Sequence, residues 1–180
     1  NLSDGLPAFL TTDGGLNSGF MIPQYVSAAL VSENKSLCHP ASVDSIPTSA
    51  GQEDHVSMGN ASGLKAWQVV ANSERALAIE LLAGAQAVEF LAPLEPGRGA
   101  RATYEHVRSL SPRLRDDRAL SSDIAAAADS VSDGTWLAAA AGEEAGEEGV
   151  GLAAGGGAGA GSGRRTTPRG TRPRHYGAAR

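Results

Sequence analysis

The chain has 180 residues, a formal net charge of −5 and a single cysteine, Cys38, which excludes an internal disulfide and suits a reducing, cytoplasmic setting. Residues 1–140 carry 9 Lys/Arg against 16 Asp/Glu, and residues 141–180 carry 6 Arg against 4 Glu. An acidic body argues against a nucleic-acid surface, which needs a basic face.

Residues 1–17 hold Gly5, Pro7, Gly14, Gly15 and Asn17 and read as turns and extended pieces. A first helix is expected from an N-cap at Ser18 to about Leu37, with Phe20, Ile22, Val26, Ala29 and Leu30 near one face. Pro23 falls in its first turns, where a missing N–H costs least. His39-Pro40 ends it. The segment from His39 to Gly59 then gathers hydroxyl, acidic and histidine side chains without one basic residue. Ser49 followed by Gln52 matches a capping box, which places the start of a second helix at residues 49–54.

From Val56 to Leu91 there is no proline, and Leu77, Leu81, Gly84/Ala85, Val88 and Leu91 follow helical spacing. Val69, Ala76, Ile79 and Ala83 add a second apolar face. Such a helix, roughly 50 Å long at 1.5 Å per residue, needs partners on several sides. Its longest apolar stretch, Ala76 to Leu94, contains Glu80 and Glu89, so it does not span a membrane. Pro93, Pro96, Gly97 and Gly99 break the pattern. A shorter helix is expected from Ala100 to Leu110, and another from Ser121 or Ser122 to about Gly134, with Asp123 in its first turn. Nothing alternates as a strand does.

Thirteen of the 23 glycines lie after residue 133. The expected division is a helical part over 1–133 and a low-complexity, disordered Gly/Ala/Arg-rich tail over 134–180. Arg164, Arg165, Arg169, Arg172 and Arg174 read as a solvated tail rather than an RNA- or membrane-binding arm. A chain that opens at Asn1 without Met reads as part of a longer protein.

Two sets of residues carry a resemblance. Ser32-Glu33-Asn34-Lys35, His39-Pro40-Ala41-Ser42-Val43-Asp44-Ser45 and Gln52-Glu53-Asp54-His55-Val56-Ser57-Met58 follow one another in order. Upstream stand Gly5-Leu6-Pro7-Ala8-Phe9-Leu10 and Leu16-Asn17-Ser18-Gly19-Phe20-Met21. Over about residues 1–130 the sequence closely resembles the C-terminal portion of histidine ammonia-lyases. The resemblance implies an all-α scaffold of long antiparallel helices in a bundle, assembled as a homotetramer through long-helix packing. The implied reaction eliminates ammonia from L-histidine to give trans-urocanate. Its implied electrophile is a methylidene-imidazolone group formed from an internal Ala-Ser-Gly outside these 180 residues, with no metal. The chain alone is then expected to be inactive.

In the resemblance Glu53 occupies the carboxylate position that lines the histidine pocket. Related phenylalanine and tyrosine ammonia-lyases carry glutamine-aspartate where Glu53-Asp54 stand here. A carboxylate suits a protonatable imidazole, which favours histidine over an aromatic substrate. On residues alone, the lesser alternative for Glu53 at a helix N-terminus is that it only caps the helix. Gln52, Asp54 and His55 are assigned as support; on one helix Glu53 and His55 would diverge by roughly 200°. Ala61-Ser62-Gly63 has the composition of the ring-forming triad but falls inside the expected long helix, and is read as a decoy. Cys38-His39 has no second ligand pair, so a metal site is not expected. The serines lack a G-x-S-x-G setting, so a hydrolase triad is not expected either. An aromatic ammonia-lyase or aminomutase of the same scaffold, and a non-catalytic helical assembly module, stand as alternatives.

Overall fold

The computed structural model describes residues 5–43, 45–53, 55–56 and 59–142; Asp44, Asp54 and the tail from 143 onward lie outside the described residues. Five α-helices follow in order: α1 (Met21–Leu37), α2 (Gly59–Phe90), α3 (Arg98–Leu110), α4 (Ser121–Asp133) and α5 (Thr135–Ala141). Two 3-10 turns, Ala8–Leu10 and Ser49–Gly51, sit in the connections. No strand forms among the described residues; Thr48 and Glu53 make one isolated antiparallel bridge, and Gly14 and Asn17 one parallel bridge. The all-α class expected from periodicity is what the structure shows.

Helix α2, roughly 48 Å at 1.5 Å per residue, is the spine against which α1, α3 and α4 pack. Its buried positions Ala78, Ile79, Leu82, Ala85 and Gln86 recur at helical spacing. Ala78, Leu82 and Ala85 join Phe20, Val107, Leu114 and Ala127 in one core. Small alanines at the α2–α4 contact let the two backbones approach. Toward its N-terminal half α2 meets α1 through a polar cluster. The buried Asn72 donates to Glu33 Oε2 (2.8 Å) and Asn34 Oδ1 (3.0 Å) and accepts from Gln68 Nε2 (2.9 Å).

At the centre of the unit, Gln86 satisfies all of its amide. Nε2 donates to the carbonyls of Leu10 (3.1 Å) and Leu114 (2.7 Å). Oε1 accepts from the Leu114 N–H (3.2 Å) and Arg108 Nη2 (3.3 Å). One turn on, Glu89 Oε1 accepts from Arg108 Nε (2.6 Å) and the Tyr104 hydroxyl (3.1 Å), while Oε2 is ion-paired with Arg113 Nε at 2.9 Å without a hydrogen bond. The segments that precede α1 and α4 are joined by Asp117, whose carboxylate accepts the N–H groups of Ser18 (2.7 Å) and Gly19 (2.9 Å). Gly19 has φ +53, and a Cβ there would stand 2.4 Å from the Phe9 carbonyl, so only glycine fits.

Three boundaries depart from expectation. Helix α2 starts at Gly59, not at residues 49–54, because Ser49 and Ala50 adopt left-handed φ values of 53 and 55 instead of the extended geometry an N-cap needs. Helix α1 starts at Met21, with Asp117 rather than the Ser18 side chain serving the free N–H groups ahead of it. Helix α5 lies past the expected edge at 133 and packs on α3. Gly134, with φ +80, turns the chain from α4 into α5. That corner is tied by His106 Nε2 to Ser130 Oγ (2.6 Å), Ser130 to Thr135 Oγ1 (2.9 Å), and Thr135 to Asp133 Oδ1 (2.8 Å).

Gln86→Leu leaves the Leu10 and Leu114 carbonyls and the Leu114 N–H without their partner. Each unsatisfied buried group costs about 1–3 kcal/mol, so the variant should lose about 3 kcal/mol or more, read as a lower urea midpoint. Accepted N–H bonds from Ser18 and Gly19 hold the Asp117 carboxyl below the ordinary 3.8. Stability from a lowered carboxylate is present above its unfolded value and is lost as pH falls through the folded one. Asp117→Asn should therefore show a smaller drop in urea midpoint than the parent between about pH 6 and about pH 3; equal drops would exclude Asp117 as a contributor.

Candidate functional site

The loop from His39 to Val56 is anchored at both ends. Helix α1 closes with the Cys38 N–H on the Asn34 carbonyl (2.9 Å) and the His39 N–H on the Ser36 carbonyl (3.2 Å). Lys65 of α2 donates through Nζ to the His39 carbonyl. Across the loop, Ser45 Oγ accepts the Val56 N–H (2.8 Å) and donates to the Val56 carbonyl (3.3 Å).

Inside that clasp the chain doubles back. The Thr48 N–H donates to the Glu53 carbonyl (2.9 Å), and the Glu53 N–H returns to the Thr48 carbonyl (3.4 Å). Between them Ser49, Ala50 and Gly51 all have positive φ, a conformation costly for the two non-glycine residues. The turn is held by the Gly51 N–H on the Thr48 carbonyl (3.0 Å) and the Gln52 N–H on the Ser49 carbonyl (3.1 Å). The side chains repeat the backbone pairing, with Thr48 Oγ1 donating to Glu53 Oε2 at 2.9 Å. Glu53 Oε1 has no hydrogen-bond partner among the described residues.

Glu53 is exposed and points from a tight turn, not from a helix N-terminus as expected. The structure replaces the helix dipole with one hydroxyl donor. Gln52 and His55 are also exposed, and no hydrogen bond among the described residues joins either side chain to Glu53. The roughly 200° divergence expected of Glu53 and His55 does not apply, because neither is helical. Asp54 lies outside the described residues. Thr48 was missed: its only trace in the sequence is a hydroxyl five positions before the carboxylate, across a turn opened by Pro47.

Ala61-Ser62-Gly63 lies in the first turns of α2. Gly63 has an ordinary φ, and a Cβ there would meet nothing. Ring closure between the first and third residues needs a compact, strained turn that a regular helix does not supply. The triad therefore does not fit a methylidene-imidazolone. Ser62 instead lines an open cleft of about 390 Å³ with Cys38, His39, Lys65 and Val69. Among the described residues no group of three His, Cys, Asp or Glu side chains is placed to hold a metal ion, and no helix is long and apolar enough to cross a membrane. The His106–Ser130 pair is no nucleophile site, since Ser130 is buried at the α4–α5 corner.

The family model for aromatic amino acid lyases matches residues 1–109. The chain belongs to the aromatic amino acid lyase family. Among curated relatives, histidine ammonia-lyase of Natranaerobius thermophilus is 59% identical over 124 residues, covering 69% of this chain and 24% of that protein. The solved structure of histidine ammonia-lyase from Trypanosoma cruzi superposes with a TM-score of 0.73 at 49% identity, over 77% of this chain and 27% of that one. Tyrosine aminomutase from Streptomyces globisporus superposes with a TM-score of 0.73 at 43% identity, over 79% of this chain and 27% of that one. The chain spans about a quarter of the length of the curated relatives it matches.

With Ala61-Ser62-Gly63 held as helix, the purified 180-residue chain should show the intact mass of its unmodified sequence. A mass lowered by loss of water from the peptide holding Ser62 would overturn that assignment.

Proposed function

We propose that this chain is the C-terminal helical part, over 1–133 with α5 appended, of an enzyme that eliminates ammonia from L-histidine to give trans-urocanate. The supporting observation is the carboxylate of Glu53, presented on a fixed turn in a chain whose curated relatives carry the name histidine ammonia-lyase at 53–62% identity. Glu53 faces the substrate imidazole and accepts its N–H; an anionic acceptor favours a polar, protonatable ring over a phenyl ring. Gln52, Asp54 and His55 shape the same wall. The methylidene-imidazolone that would supply the electrophile comes from a part of the enzyme other than these residues, so these 180 residues alone turn over no substrate. The enzyme works in the cytoplasm.

The same enzyme is a homotetramer in this proposal. Leu64, Trp67 and Val70 on the first half of α2 are exposed, Trp67 by 80%. An apolar stripe of that kind on a long helix is what subunit packing covers.

A second reading, a tyrosine aminomutase, is favoured by the equal TM-scores of the two solved structures. The full-length enzyme should form urocanate from histidine, followed by its ultraviolet absorbance, and should leave tyrosine and phenylalanine unchanged. Glu53→Gln should lower kcat/KM for histidine at least about tenfold, or roughly 1.4 kcal/mol. Unchanged turnover in that variant would remove Glu53 from the mechanism, and β-tyrosine formed from tyrosine would favour the aminomutase.

A further inference from the structure

Resting on the reading of Glu53 as the substrate-facing carboxylate, we infer that Thr48 is the positioning residue that sets its orientation. A glutamate on an exposed loop has three rotatable side-chain bonds and samples many rotamers. Here the backbone bridge between Thr48 and Glu53 fixes the Cα of Glu53, while Thr48 Oγ1 fixes the far end through Oε2 at 2.9 Å. Both ends of the side chain are thereby held by one residue.

The division of labour between the two oxygens follows. Oε2 is occupied by the Thr48 hydroxyl, which leaves Oε1 to meet the substrate. A hydroxyl can donate only one hydrogen bond, so Thr48 aims the carboxylate without competing for both acceptor sites. Orientation of a group against a bound reactant is a large lever on rate. It also explains why the turn tolerates left-handed Ser49 and Ala50: a relaxed turn would separate Thr48 from Glu53. Strain of this kind persists where the surrounding pairing over-determines it, as the Ser45–Val56 clasp does here.

The test uses the full-length enzyme and histidine turnover. Thr48→Val keeps the branched shape and the backbone bridge but removes the donor; Thr48→Ala removes the donor with less side-chain volume. Each should lower kcat about tenfold with a smaller change in KM, and Thr48→Ser, which restores a hydroxyl, should recover most of it. In a Glu53→Gln background Thr48→Val should cost little further, because its effect passes through the carboxylate. Thermal unfolding midpoints of the folded variants report on structure separately from turnover. Loss in Glu53→Gln with wild-type kcat in both Thr48 variants would overturn the role of Thr48 and leave that of Glu53 standing. Full additivity of the two substitutions, or failure of Thr48→Ser to rescue, would likewise overturn it. No loss in Glu53→Gln would remove both residues.

Discussion

The buried amide of Gln86 is the interaction on which the rest of the unit depends. A primary amide carries two donors and one doubly accepting oxygen, and all four of those positions are used, two by Leu114, one by Leu10 and one by Arg108. Leu10 belongs to the N-terminal turn, Leu114 to the connection between α3 and α4, and Arg108 to α3. Neither the Leu10 carbonyl nor the Leu114 N–H and carbonyl has a backbone hydrogen-bond partner among the described residues. A hydrophobic side chain would fill the same space but would leave peptide groups dry and unpaired, the more expensive outcome in a low-dielectric interior. The apolar core around Leu82 and Val107 supplies most of the driving force, and Gln86 decides which arrangement of the irregular segments it is compatible with.

Much of the helical framework was legible because it rests on local rules. The period of Leu77, Leu81, Ala85 and Val88 located α2, and Ser121 and Gly134 bracketed α4 to within a residue. Where these rules failed, pairing across a turn or packing on another helix had taken over. Ser49 and Gln52 have the residue types of a capping box, but the Thr48–Glu53 bridge holds Ser49 in a conformation from which no helix can begin. The alanine run after Trp136 looked like the start of a featureless tail. Alanine is the strongest helix former, and α5 packs on α3, with Trp136 lining an apolar groove shared with Val131 and Tyr104.

The site was legible only in part. Glu53 could be singled out by its place in a recognisable run of residues, and its proposed role could be argued from the imidazole of the proposed substrate. Its surroundings could not, because a helix dipole and a facing hydroxyl are alternative ways to steady a carboxylate and the choice between them is made by the turn. Residues 48–53 thus form a small device whose backbone geometry is as specific as its side chains. The decoy Ala61-Ser62-Gly63 teaches the converse: composition alone fits the chemistry, and a regular helix forbids it.

The bonds from Asp117 to Ser18 and Gly19 join residues 99 and 98 positions apart. They tie the described part of the chain into a loop whose closure is among its least probable events during folding. Such a clasp forms after the α2 spine and its neighbours have brought both ends together, and it contributes little to the rate at which they meet. Its effect falls on opening. A chain cut between α2 and α3 would still hold its two halves together through this clasp and the Gln86 bonds.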